Sequence, residues 1–117
     1  MTLHFKWLSD TVAAAGQISP SDLPIIAAHG FKTVINNRPD GEGGPQQPNS
    51  EELQRAAEAA GLRYVHLPVV SGQLTAQQVL EMAQTLRSTS APVFAFCRSG
   101  ARSEHLFRLA TQPGLPS

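Results

Sequence analysis

The chain has 117 residues, with nine basic and nine acidic side chains and a formal net charge of zero. This length suits one domain over residues 1–117, and the balanced charge indicates neither nucleic-acid nor membrane-surface binding. No apolar run approaches the roughly 20 residues that span a bilayer, and the first residues lack a signal-peptide pattern. A single cysteine excludes an internal disulfide, so we expect a cytoplasmic protein.

The first half of the chain alternates short apolar stretches with turn and helix signals. Residues 11–19 predict a short edge strand, and Pro20 is favoured in the first turn of a helix that would end at Gly30. The β-branched stretch 31–37 predicts a strand. Proline and glycine in residues 38–50 predict a loop, and its length marks it as functional or mobile.

The second half continues the alternation of strands and helices. We predict a helix over 51–60, a strand over 62–70, a helix over 76–88, a strand over 92–97 and a helix over 101–112. The strand that ends at the cysteine is almost continuously apolar, which is typical of a central strand buried on both faces. The pattern predicts a three-layer α/β/α fold with a mostly parallel sheet of four to five strands.

Three loops should meet at one edge of this sheet. In parallel sheets, sites form at the carboxyl ends of the strands. We therefore expect residues 37–40, 70–73 and 97–102 to lie together there.

The chemistry-bearing stretch is VFAFCRSGARSEHLF, which contains the only cysteine, Cys97. Backbone amides that curl around a point at a helix N-terminus bind anions and lower the pKa of a thiol. Arg102 would add a bidentate fork for an oxyanion, and Arg98 would do the same or point to solvent. The residues expected around the sulfur are Arg98, Ser99, Gly100, Ala101, Arg102 and Ser103. The alternative is a small buried residue that ends a strand.

The segment CRSGAR resembles the active-site loop of rhodanese-like sulfurtransferases, and it is one residue shorter than the Cys-x5-Arg loop of protein tyrosine phosphatases. The wider arrangement GQIS…GFKTVINNRPDGE…AAEAAGLRYVHLPV…PVFAFCRSGARS resembles the family of the beta-lactamase hydrolase-like protein, phosphatase-like domain. The resemblance implies a dual-specificity-phosphatase-like fold, with Cys97 as nucleophile and Arg102 as oxyanion clamp. It also implies a possible persulfide-metabolising redox partner, because some members are fused to such domains.

Three departures from the phosphatase pattern favour sulfur over phosphorus. Four residues separate Cys97 from Arg102, so the cradle is tighter than in a phosphatase. Phe96 stands where phosphatases usually have histidine. The turn at 69–73 carries no acid, although a phosphate ester needs a proton on its leaving group.

We therefore expect a sulfurtransferase that takes sulfur from thiosulfate or a small persulfide through a Cys97 persulfide. The alternative is a phosphatase with a Cys97 phosphothiolate, in which Asp40 protonates the leaving group. Arg38 and Asp40 would then belong to the site, or they form a structural pair at a turn. A third hypothesis is a non-catalytic module that binds an oxyanion or a partner.

No cofactor or metal is expected, because the four histidines are not spaced as converging ligands. For His66, within a predicted strand, a core or surface position is favoured over a ligand role. The expected partner is a small anion: thiosulfate, a persulfide or a phosphate ester.

Overall fold

The computed structural model describes residues 3–113 and contains five strands and four α-helices within that range. The strands are β1 (Lys6–Trp7), β2 (Val12–Ala15), β3 (Thr33–Asn36), β4 (Arg63–His66) and β5 (Val93–Phe96). The helices are α1 (Leu23–Ala28), α2 (Ser50–Ala59), α3 (Ala76–Ser88) and α4 (Ala101–Ala110), with short 3-10 turns at Pro20–Asp22 and Gly44–Gln46.

The sheet has the order β1-β2-β5-β3-β4, and only the β1–β2 pair is antiparallel. The mostly parallel five-stranded sheet and the central position of β5 are confirmed. The prediction of β2 as an edge strand is wrong. The two-residue strand β1, which the sequence pattern did not reveal, pairs with β2 and takes the edge.

Helices cover both faces of the sheet, as the alternating pattern predicts. On one face, α1 and α2 pack Leu23, Ile26 and Leu53 against Phe94 and Phe96 of the central strand. A second cluster lies on the other face, where α3 and α4 pack against the sheet. Its members include Ile35, Met82, Ala95, Leu106 and Phe107. The central strand therefore contributes side chains to two separate cores, which accounts for its lack of polar residues.

The helix starts follow their capping residues, with one difference. The Asn49 side chain accepts a hydrogen bond from the backbone N–H of Glu52, and the Thr75 side chain accepts one from that of Gln78. Both are the interactions expected of N-caps. The helix predicted from Pro20 instead begins as a 3-10 turn, and the α-helix itself starts at Leu23.

The N-terminal segment packs against the sheet through an aromatic cluster. The Trp7 ring stacks on that of Phe31, with ring centroids 5.3 Å apart, and Phe5 meets both rings edge-on. Trp7 nevertheless keeps 50% of its surface exposed. None of the helices within residues 3–113 has the length and apolar character needed to cross a bilayer.

Candidate active site

The three predicted loops meet at the carboxyl edge of the sheet. The backbone N–H of Asn37 donates to the carbonyl of Phe96, and that of Val69 donates to the carbonyl of Asn37. Arg102 donates from Nη1 to the carbonyl of Val69 at 2.8 Å, which ties the cysteine loop to the β4–α3 loop. The main chain therefore fixes the ends of all three loops to one another.

The cysteine loop is anchored to β2 by close backbone contacts. The N–H of Cys97 donates to the carbonyl of Ala15 at 3.2 Å. Gly100 has a φ of +99°, and a Cβ there would lie 3.4 Å from the backbone of Ala15. A Cβ on Gly16 would in turn lie 3.0 Å from the carbonyl oxygen of Arg98. Glycine is therefore favoured at Gly16 by the close approach of the Arg98 carbonyl, and at Gly100 by the left-handed backbone.

Backbone donors surround the Cys97 sulfur. Gly100 donates its N–H to Sγ at 3.1 Å, and the backbone N–H groups of Ser103 and Ser99 also lower the pKa of the thiol. Burial raises the pKa of Cys97, but these donors outweigh burial and hold the pKa below its ordinary value. The side chain is only 1% exposed. The sulfur thus lies at the floor of a loop that stabilises thiolate over thiol.

Ser103 connects the sulfur to a buried asparagine. Its hydroxyl donates to Oδ1 of Asn37 at 2.8 Å, and Asn37 donates from Nδ2 to the carbonyl of Leu67 at 3.0 Å. The same hydroxyl contributes a hydrogen bond that lowers the pKa of Cys97. A serine has one hydroxyl proton, so Asn37 and the thiolate compete for it. The Ser103 hydroxyl oxygen lies 2.8 Å from Oδ1 of Asn37, so it donates to Asn37 while Cys97 is a thiol.

The guanidinium of Arg102 is held by a carboxylate from the long loop. Nη1 and Nη2 donate to Oε2 and Oε1 of Glu42 at 2.8 and 2.7 Å, and Nη1 also donates to the carbonyl of Val69. A guanidinium has five N–H donors, so these bonds leave the Nε–H and one Nη2–H for a further ligand. That pair forms the side-on fork suited to an oxyanion.

Arg38 shares the same carboxylate. Its Nε donates to Oε1 of Glu42 at 2.8 Å, and its Nη1 donates to Oε1 of Gln17 at 3.0 Å. The hydrogen bond from Arg102 contributes most to lowering the pKa of Glu42, and with Arg38 it brings that pKa from 4.5 to about 2 despite partial burial. Glu42 is therefore a fixed anion that aligns two arginines.

Arg38 and Asp40 do not form the structural pair that was one of the two alternatives for them. Oδ1 of Asp40 accepts a hydrogen bond from the backbone N–H of Ser50 at 2.8 Å, at the start of α2. The physical reason is the turn after Pro39, which directs Asp40 to the positive end of α2. The same turn brings Glu42, four residues after Arg38, back to the guanidinium.

The remaining predicted residues are also located. Within the cysteine loop, Arg98 and Ser99 are exposed and Gly100 is buried. Ala101 begins α4. Nε2 of His66 lies 3.0 Å from the carbonyl oxygen of Arg38, which supports a structural role for this histidine. Among residues 3–113, no three His, Cys, Asp or Glu side chains are close enough to bind a metal ion.

Sequence reasoning missed Glu42 and Gln17 as parts of the site, and it expected Asn37 there only as the start of a loop, with no role of its own. One available signal was the pair of asparagines at the end of an otherwise apolar strand, because buried amides need specific partners. Glu42 carried no local signal beyond being the second carboxylate of the loop. Its importance depends on contacts with Arg102, sixty residues away in the chain.

A cavity of 310 Å³ lies beside Arg102, between the β4–α3 loop and α4. Its walls are formed by Val69, Val70, Gly72, Leu74, Arg102 and His105. Apart from the arginine and the histidine, the lining residues are two valines, one leucine and one glycine. The cavity therefore offers room for an uncharged part of a ligand next to the arginine.

The chain was compared with known protein families and curated proteins. A family model described as "Beta-lactamase hydrolase-like protein, phosphatase-like domain" matches residues 4–114. The beta-lactamase hydrolase-like protein of Agrobacterium fabrum is 37% identical over 102 residues, which are 87% of this chain and 23% of that protein. The chain thus spans about a quarter of the length of the curated relatives it matches.

Solved structures show the same fold. A candidate phosphatase from Neisseria meningitidis is 31% identical, has a TM-score of 0.81, and is matched over 87% of this chain and 72% of its own. The P. aeruginosa protein TpbA, in complex with phosphotyrosine, has a TM-score of 0.63 at 14% identity, with coverage of 97% and 75%. At that identity the likeness to TpbA shows the fold alone.

Proposed function

The chain belongs to the family of the beta-lactamase hydrolase-like protein, phosphatase-like domain, and from this premise we propose that it is a cysteine-dependent phosphatase. The observation that carries the proposal is the amide-lined Cys97 sulfur in the same loop as Arg102, whose side-on fork remains available. The fold that it shares with phosphatase structures supports this proposal over the sulfur transfer expected from the loop length.

In the proposed reaction, the Cys97 thiolate attacks the phosphorus of a bound phosphoryl donor. The phosphoryl oxygens accept hydrogen bonds from the loop amides and from the free fork of Arg102, which stabilises the charge that develops on them. Glu42 keeps that fork oriented before the substrate arrives, and such preorganisation is how fixed charges reduce a barrier. Water then releases phosphate from the Cys97 phosphothiolate.

Sulfur transfer is retained as a second candidate because of one specific observation. Only four residues separate Cys97 from Arg102. The loop therefore has one residue fewer than the Cys-x5-Arg loop of protein tyrosine phosphatases with which to surround a tetrahedral phosphoryl group. The same amides could hold a Cys97 persulfide, and thiosulfate would expel sulfite without needing a proton. A persulfide-metabolising partner belongs to this candidate and not to the phosphatase.

The test compares both donors on the same protein. Purified protein is incubated with para-nitrophenyl phosphate or with thiosulfate, and product release and intact mass are measured. We expect Cys97-dependent release of nitrophenol, with transient gain of one phosphoryl group. Cys97→Ser should abolish it, whereas Arg98→Ala, an exposed change in the same loop, should retain most of it.

Other outcomes identify the alternatives. Gain of one sulfur atom from thiosulfate, without hydrolysis of the phosphate ester, would favour sulfur transfer. Phosphate binding without either reaction would favour the non-catalytic oxyanion-binding module and contradict the proposed enzyme.

A further inference from the structure

Both carboxylates at the turn of the long loop already have fixed partners. Oδ1 of Asp40 accepts the backbone N–H of Ser50 at the start of α2. To reach a leaving group, Asp40 would have to give up this hydrogen bond and move away from the start of α2. The contact therefore opposes a role for Asp40 as the acid.

Glu42 is nearer to the arginine but is unsuited to donate a proton. It receives hydrogen bonds from Arg38 and Arg102, and its pKa is about 2. At neutral pH only about one molecule in 10⁵ would carry a proton there. Glu42 orients Arg102, and its negative charge is paired with the guanidinium groups of both Arg38 and Arg102.

The loop that faces Arg102 from the other side offers no acidic side chain. Residues 69–74 read VVSGQL and contain no carboxylate. Val69, Val70 and Leu74 line the cavity next to Arg102, together with His105 of α4. His105 is the one cavity-lining side chain of a type that commonly serves as a general acid, so it is the rival proton donor.

We propose that the substrates are phosphoryl donors whose leaving group departs as a stable anion, namely acyl phosphates or phosphoanhydrides; this rests on the proposed phosphatase function. An alkoxide leaving group requires a proton in the transition state, whereas a carboxylate or a phosphate does not. The apolar cavity beside Arg102 would take the uncharged part of the leaving group.

The steps balance without a protein acid. The Cys97 sulfur lone pair forms the S–P bond, and the P–O bond to the leaving group breaks, with its electron pair going to the departing carboxylate or phosphate. Water oxygen then attacks the phosphorus and the S–P bond breaks, which returns its electron pair to the thiolate. One proton of the water remains on the transferred oxygen, and the other passes to a phosphoryl oxygen, giving dihydrogen phosphate.

The experiment measures kcat/KM for acetyl phosphate, for a series of aryl phosphates of rising phenol pKa, and for glycerol 2-phosphate. We expect acetyl phosphate and para-nitrophenyl phosphate to be hydrolysed. Along the aryl series we expect a fall of roughly tenfold per unit of phenol pKa, and no measurable turnover of the alkyl ester. Rates should rise with pH as Cys97 ionises and show no loss on the alkaline side.

Two variants test the rival donors by substrate ratios, which a general loss of folded protein would not change. In Asp40→Asn and His105→Ala, the ratio of nitrophenyl to phenyl phosphate turnover should change by less than about twofold. A selective loss of phenyl phosphate turnover in either variant would identify that residue as the acid and overturn the inference. Equal turnover of alkyl and nitrophenyl esters by the unmodified protein would do the same.

The same measurements distinguish failure of the proposed phosphatase function from failure of the substrate inference. If none of these phosphates is hydrolysed in a Cys97-dependent way, the phosphatase proposal and this inference both fall. If hydrolysis occurs but is insensitive to the leaving group, the phosphatase proposal stands and the inference alone is wrong.

Discussion

Two loops at the same sheet edge build the site in opposite ways. The short loop after β5 points main-chain N–H groups at one sulfur. The long loop after β3 contributes side chains, and its carboxylates hold Arg102, Arg38 and the start of α2. The nucleophile therefore depends on local backbone geometry, whereas the alignment of the arginine depends on tertiary contacts.

The two loops should respond differently to mutagenesis. Replacements other than proline leave the amide donors around Cys97 in place, except where they change the backbone at Gly100. The contacts of the long loop can each be removed by one substitution. Variants of the long loop should therefore alter arginine alignment and stability while leaving the thiolate largely unchanged.

The largest effect is expected at the residue where the two loops meet. Arg102→Lys keeps the charge but loses the planar fork and the bidentate contact with Glu42. We expect kcat/KM for para-nitrophenyl phosphate to fall by about 10²–10³-fold, the magnitude found when an oxyanion donor is removed. Arg98→Lys, an exposed change in the same loop, is the matched control and should stay within about threefold. Equal losses in both variants would contradict the assignment.

Removal of the long-loop carboxylate should have a smaller effect on activity. Glu42→Gln leaves both guanidinium groups without their anion, and we expect kcat/KM to fall by about tenfold and the free energy of unfolding by about 1–3 kcal/mol. Urea unfolding and steady-state kinetics measure the two effects. Glu51→Gln, in the exposed pair with Arg55, is the control and should cost less than about 1 kcal/mol.

The same variant has a defined pH dependence. The folded-state pKa of Glu42 is lowered from 4.5 to about 2, so its contribution to stability is complete above about pH 4.5 and is lost as the pH falls towards 2. The stability difference between the parent protein and Glu42→Gln should therefore shrink between pH 5 and pH 2–3. A difference that is constant over this range would mean that the charge of Glu42 is not what stabilises the loop.

The sequence supported the short loop better than the long one, for a physical reason. The apolar strand, Cys97, Gly100 and the start of α4 are adjacent in the chain, so their arrangement follows from local backbone rules. The contacts of Glu42 join residues that are far apart in the sequence, and no periodicity or capping rule identifies them. The strand β1 was missed because two exposed residues carry no strand pattern.

The competition for the Ser103 proton offers a finer test of the short loop. Ser103→Ala removes the hydroxyl that lowers the pKa of Cys97 and leaves the backbone donors in place. We expect the pKa of Cys97 to rise by up to about one unit, measured from the thiolate absorbance as a function of pH. An unchanged pKa would mean that the hydroxyl proton remains on Asn37 in the thiolate state.

The smallest effect is expected at Asp40, where a substitution distinguishes a structural role from a catalytic one. Asp40→Asn retains an oxygen that can accept the Ser50 N–H but removes the negative charge at the start of α2. We expect a loss of about 0.3–1 kcal/mol in the free energy of unfolding, and Asp40→Ala should cost more because the capping acceptor is also lost. If Asp40 instead acts as an acid, Asp40→Asn would slow the hydrolysis of esters with poor leaving groups even where the protein is fully folded. Loss of a helix cap would affect the turnover of all substrates equally. Loss of an acid would change the selectivity for leaving groups, so this selectivity distinguishes the two roles of Asp40.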